Sequence, residues 1–216
     1  MNINGRYRGL FEISEANLQI LGCGGIGSYT AVNLAKMGGI NFGLYDNDIV
    51  EAVNVGVSAY GLNDINHYKV GALSAMIQNV NPKAKIMTSH RLFSEKFYKP
   101  GGNDIVLLSF DSMESRKDAV EIIVANKAKA LIDSRMGAET FIMYIFLNPT
   151  VEKYKQYWHR DEDGDDEPCN ARATSYCSSM AGAFAANAVR KIIMRDQPIQ
   201  ERIMFHFPSM LLKFGM

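Results

Sequence analysis

The residues that could do chemistry here are a group of glycines and a few charged side chains at telling distances from them. Gly22, Gly24, Gly25 and Gly27 stand together in GCGGIGS; Asp46 and Asp48 follow in YDNDIV, then Asn54, Lys69 and Asp111. This spacing suits a turn that brings backbone amides up to a phosphate. Gly22 permits the tight turn, Gly24 the close approach, and Gly27 the packing of a helix on a strand. A helix opening at that point offers free N–H groups and a partial positive charge to an anion. Asp46, about 20 residues beyond the glycines, is placed for ribose hydroxyls. Lys69 opens a helix against its dipole, which asks for something else to hold it there. Asp111 follows an apolar run, at the carboxyl end of a central strand, where open α/β sheets bind their ligands. NAD and ATP would both use the glycines and Asp46. Lys69 and Asp111 favour a metal–triphosphate, because hydride transfer requires neither.

The elements that must position these groups alternate along the chain. Apolar periodicity and turn residues predict a strand at Leu18 to Leu21, a helix from about Ser28 to Met37, and a strand ending on Asp46. A long polar connection leads to a helix from Lys69, stopped by Asn81-Pro82. Strands follow at Lys85 to Ser89 and Ile105 to Phe110, a helix from about Ser112 to Asn126, a strand at Ala130 to Asp133, and a loop from Ser134 to Ala138. The strand Thr140 to Leu147, a helix rich in Ala, Gly and Ser from about Thr174 to Met194, a strand Arg202 to Phe207 and a short tail complete the order. Alternating strands and helices with right-handed crossovers predict an α/β, Rossmann-like sheet, mostly parallel, with helices on both faces and antiparallel strands added at the C-terminal end. Residues 1–216 read as one nucleotide-binding domain. Within it, 150–168 holds six acidic residues after Arg160 and reads as a mobile acidic crossover. The alternate-position carboxylate pattern of a calcium loop fails there.

Composition removes several function classes. The formal net charge is zero, so no bulk field draws the chain to nucleic acid or to a membrane surface. The 3 cysteines, Cys23, Cys169 and Cys177, are odd in number and lack a close pair, which suits a reducing compartment. They are too few for a four-cysteine zinc site, and His67, His90, His159 and His206 form no spaced cluster, so zinc is not expected. The first residues carry no apolar core of a secretory signal, and the uncharged run from Ala173 to Val189 is short of a spanning helix. A cytoplasmic protein is expected.

Taken in order, GCGGIGS, LYDNDIVEAVN, Lys69, Asn81-Pro82 and FDSMESR resemble the ThiF/MoeB family, bacterial relatives of ubiquitin-activating enzymes, over roughly residues 18–146. The resemblance implies ATP- and Mg²⁺-dependent adenylation of the C-terminal glycine of a small ubiquitin-like or sulfur-carrier protein by a homodimer. By position, Asp46 would bind ribose, Asn54 and Lys69 the phosphates, and Asp111 the Mg²⁺. The family's arginine after the asparagine falls on Val57. Arg8 reaching over from a second copy, Arg135 or Arg172 are the replacements the sequence offers. Cys169 or Cys177 would be the place for a thioester to the activated carrier, if a neighbour such as Arg172 lowered the thiol's pKa. An inert thiol is the heavier reading for both, and Cys23 reads as packing. A domain that binds ATP or a partner without turnover, and an NAD-dependent oxidoreductase, are the alternatives.

Overall fold

A computed structural model describes residues 5–94, 96, 101–160 and 173–215. Its centre is an eight-stranded sheet of order β3-β2-β1-β4-β5-β6-β7-β8. The strands are β1 (Asn17–Leu21), β2 (Asn41–Tyr45), β3 (Lys85–Ser89), β4 (Asp104–Leu108), β5 (Ala130–Gly137), β6 (Thr140–Leu147), β7 (Arg202–His206) and β8 (Leu211–Gly215). Pairings from β3 through β5 are parallel; those from β5 through β8 are antiparallel. The expected mostly parallel sheet with antiparallel C-terminal additions is the observed one. β4 is buried along its whole length, as a central strand with both faces covered must be.

Helices α1 (Gly25–Lys36), α3 (Lys69–Val80) and α6 (Ser175–Met194) cover one face; α4 (Met113–Ala125) and the short α5 (Val151–Lys155) cover the other. A further short turn of helix, α2 (Ala52–Val55), lies in the connection after β2. α1 and α6 pack closely and run parallel. A Cβ on Gly25 would stand 3.2 Å from Ser178 Cβ, and one on Gly182 would stand 2.7 Å from Tyr29 Cβ. The small residues of α6 exist for this contact: any side chain at Gly182 would push the helices apart.

Several expectations need correction. α1 begins at Gly25, not near Ser28. Glycine's poor helix propensity hid the first turn, which tertiary packing demands: a Cβ on Gly27 would lie 1.9 Å from Gly22 O. Ser134 to Gly137 are not a loop but the second half of β5, paired residue by residue with β6 as far as Gly137↔Thr140. Asp133 and Arg135 broke the apolar pattern, yet they satisfy each other on one face of the strand. The tail after β7 is a strand, β8, with Leu211, Leu212 and Phe214 exposed. The acidic crossover opens with α5, capped by Thr150 and anchored by Tyr154 at 1% exposure; residues 161–172 lie outside the described residues. Apart from these corrections, the segment before β1 packs Ile13 into the core, and Tyr7 donates to Lys36 O (2.8 Å).

Candidate active site

The glycine turn joins the end of β1 to α1, and its conformation is forced. Gly22 has φ +90°, and a Cβ there would stand 2.7 Å from Ser109 O. Ser109 Oγ donates to Gly22 O (2.8 Å), and its N–H donates to Leu21 O (2.8 Å), so the turn is stitched to the chain leaving β4. Gly24 is different: a Cβ there would meet nothing within 4 Å. It is the N-cap of α1, where no side chain caps the helix and the first turn holds no acid. A helix start in this state has N–H groups and a dipole end to offer an anion.

Asp46 follows β2 on the same carboxyl edge. Its Oδ2 accepts from Cys23 N–H (2.7 Å) and its Oδ1 from Asp48 N–H (2.9 Å), which aims the carboxylate beside the glycine turn. Burial raises its pKa, against the pull of Lys69 and of the two amides. Asp48 Oδ2 accepts from Lys69 Nζ at 2.7 Å, and Lys69 N–H donates to Asp48 O (2.9 Å). The lysine is 11% exposed and Asp48 57%. Burial pulls the lysine's pKa down, but Asp46 and Asp48 outweigh it and hold the ammonium above its ordinary range. The dipole penalty of a lysine opening α3 is thus met by two carboxylates.

The connection between them is ordered. Ile49 and Tyr68 form an isolated antiparallel bridge, and Tyr60, 3% exposed, donates from one hydroxyl to Cys23 O (2.7 Å) and Lys69 O (3.1 Å). Tyr60 thereby ties the glycine turn to the start of α3. Nothing in the local sequence marks it, because it sits among VGVSAYGL with no spacing tied to the glycines or to Lys69. Asn54 sits in α2, where its Oδ1 accepts from Glu51 N–H (2.8 Å), leaving the carboxamide nitrogen to offer a ligand. Val57 lies at the arginine's expected position, and its carbonyl accepts from Ser178 Oγ (2.6 Å).

Asp111 stands beyond β4, exposed, immediately before Ser112, which caps α4 by accepting from Ser115 N–H (3.3 Å). The register Leu21↔Tyr45 and Leu21↔Leu108 puts the ends of β1, β2 and β4 level. Gly22, Asp46 and Asp111 therefore share one edge of the sheet. These residues fit a Mg²⁺–nucleotide: an uncapped helix start, a carboxylate held for hydroxyls, a partly buried cation, and a free carboxylate of the kind that holds Mg²⁺ together with phosphate oxygens and water. Among the described residues no group of three or more His, Cys, Asp or Glu could form a metal cage.

The remaining candidates do not join this edge. Cys177 faces the core beside Ile26, Phe141 and Phe205 at 0% exposure, and burial with Glu139 nearby pushes its thiol up to about 12. As a thioester site it is corrected: a carrier cannot reach it, and it is no thiolate at neutral pH. Cys23 is equally buried, with its pKa raised by burial and Asp46. Arg135 is not a spare phosphate clamp either. Its Nε (3.0 Å) and Nη2 (2.7 Å) donate to Asp133 Oδ2, its Nη1 to Tyr157 O (2.8 Å), and its guanidinium stacks 4.7 Å over the Tyr144 ring. Arg8 is exposed beside Tyr7, which is bonded to the last residue of α1, about 18 Å of helix away from the glycine turn. Cys169 and Arg172 lie outside the described residues.

A mostly parallel sheet with a glycine turn feeding a helix, an acid after the second strand and the binding groups on its carboxyl edge defines a nucleotide-binding protein of the Rossmann-like class. More narrowly, this chain belongs to the ThiF family, whose profile matches residues 4–214. It is 29% identical over 92 residues to the tRNA threonylcarbamoyladenosine dehydratase of Bacillus subtilis (strain 168), covering 42% of this chain and 36% of that protein. It is 30% identical over 118 residues to ubiquitin-like modifier-activating enzyme 5 of Bombyx mori, covering 49% of this chain and 30% of that protein. Among solved structures, PaaA superposes with a TM-score of 0.76 at 19% identity, and E. coli MccB with ATP with a TM-score of 0.74 at 18% identity. Each covers 94% of this chain and 64% of the other, and shows the shared fold. The chain spans about a third of the curated relatives' length. Among the described residues no helix is long and apolar enough to cross a membrane.

Proposed function

We propose that this chain is an ATP- and Mg²⁺-dependent adenylyltransferase that activates the C-terminal carboxylate of a small ubiquitin-like or sulfur-carrier protein. The observation that carries the reading is the rim of Asp46, Asp48 and Lys69 beside an uncapped helix start, with Asp111 on the same edge. Relatives point the same way: one is named a ubiquitin-like modifier-activating enzyme, and MccB is known in complex with ATP and with MccA. In the reaction a carrier carboxylate oxygen forms a bond to the α-phosphorus, and the bond to the pyrophosphate oxygen breaks. Asp46 binds the ribose; Gly24 and the α1 N-terminus receive the phosphates; Lys69, exchanging Asp48 for phosphate oxygen, and Asn54 stabilise the charge that builds there. Mg²⁺ held by Asp111 would neutralise charge on the phosphates. We place the protein in the cytoplasm, as a homodimer in which Arg8 serves the site of the second copy.

Calorimetric titration with ATP, with and without Mg²⁺, on the protein and on Asp111→Ala tests this. The expected result is ATP binding whose metal-dependent part vanishes in the variant. Absence of ATP binding overturns the reading. A second reading, binding without turnover, draws on Val57: the residue has no guanidinium, and its carbonyl is occupied by Ser178. ATP binding without carrier-dependent pyrophosphate exchange would select it.

A further inference from the structure

Asp111 stands on a short piece of chain. β4 ends at Leu108, α4 begins at Met113, and the carboxylate lies between them, so its place is set by where the first turn of α4 sits. That turn is braced from inside the protein. Arg116, 5% exposed, reaches from α4 to β5, where its Nη1 donates to Asp133 Oδ1 and its Nη2 to Ser134 O (3.1 Å). Asp133 is fully buried and pairs in register with Leu108, the last residue of β4. The brace therefore crosses at the level where β4 stops, under the turn that carries Asp111. Arg116 N–H also closes the first turn of the helix onto Ser112 O (3.1 Å).

The arrangement is a costly way to obtain stability. Asp133 accepts from Arg116 on one oxygen and from Arg135 on the other, so two guanidiniums meet one carboxylate away from water. Apolar side chains of the same volume commonly stabilise such a site as well or better. What they lack is direction, and a guanidinium forked between a carboxylate and a carbonyl supplies it. We propose that Arg116 is a positioning residue: its fork to Asp133 and Ser134 fixes the first turn of α4 and thereby holds Asp111 at the carboxyl edge of β4. The proposal rests on the adenylation reading for what Asp111 binds.

Two variants separate this role from a general structural one. Arg116→Met leaves Asp133 with Arg135, and Arg135→Met leaves it with Arg116; both retain one cation against one buried anion, and only the first removes a bond made by α4 itself. Each full-length variant is titrated with ATP with and without Mg²⁺, and hydrogen exchange is followed in a peptide covering residues 109–117. Arg116→Met is expected to weaken ATP binding in Mg²⁺ tenfold or more, leave metal-free ATP binding within twofold, and speed exchange in that peptide. Arg135→Met should match the parent protein in all three. Should Arg116→Met fail to fold, Arg116→Lys, which keeps the charge but not the fork, should show the same effects at smaller size. Equal loss of metal-free and Mg²⁺-dependent binding, or equal exchange in the two variants, overturns the proposal. If the parent protein's ATP affinity ignores Mg²⁺, the adenylation reading fails, and the exchange comparison alone then decides the brace.

Discussion

Two charge clusters occupy the same end of the sheet and are built on opposite terms. At the rim, Lys69 meets an Asp48 that is more than half exposed, a partner open to exchange for a ligand atom, while Asp46 is aimed by two backbone amides. On the other face, Asp133 is sealed between Arg116 and Arg135, which also donate to Ser134 O and Tyr157 O. The first arrangement is poised to change partners and the second to keep them. Charge at the carboxyl edge of a sheet is therefore not in itself a binding site; solvent access to the partner decides.

The contrast is broken most directly at Asp133. Asp133→Ala strands the buried Arg116 and the partly buried Arg135 and should cost about 3–5 kcal/mol of stability in urea unfolding. A cost under about 1 kcal/mol would mean that the cluster is as exchangeable as the rim. The glycines sharpen the same distinction. Gly27→Ala drives a methyl into Gly22 O and should destabilise on the order of 3 kcal/mol, whereas Gly24→Ala meets open space and should stay within about 1 kcal/mol. Gly24→Ala should nonetheless weaken ATP tenfold or more, read by calorimetry, because its methyl would stand where a phosphate approaches.

How far the sequence shows these regions differs between them. The rim is legible because its chemistry is local: glycines, Asp46 and Lys69 belong to short spacings tied to turns and helix starts. The cluster is not, because Arg116, Asp133 and Arg135 are brought together by strand register and by a fork across the sheet. Arg135 and Gly137 instead looked like a break in β5. Most strands were visible from their apolar runs. β8 was missed because Leu211, Lys213 and Phe214 lie on an edge with little burial to impose a pattern. The first turn of α1 was missed because packing, not propensity, put two glycines in a helix.

Smaller effects test the rim and the thiols. Lys69→Ala should lower ATP affinity by about 1.5–3 kcal/mol, the worth of a charged hydrogen bond, with less than about 1 kcal/mol lost in thermal unfolding because Asp48 is solvated. The folded-state pKa of Lys69 is raised, so the ammonium's contribution to stability is complete below the ordinary lysine value of about 10.4 and fades only as pH rises through the folded value. ATP affinity should accordingly show no lysine titration between pH 7 and about 9. Cys177, with its thiol near 12, should resist iodoacetamide at pH 8 in the folded protein and react once unfolded, as peptide mapping can show. Labelling of the native chain at Cys177 would mean that α6 opens far more readily than its packing implies.

Trp158, whose indole N–H donates to Met113 O at 2.7 Å with Lys117 over its ring, is the only tryptophan in the sequence. The molecule thus carries its own optical probe on the first turn of α4, next to the residue expected to meet metal. Emission from a single indole reports one place, without a label or a second fluorophore to subtract, so events at Asp111 can be timed in a stopped-flow cell on the unaltered chain.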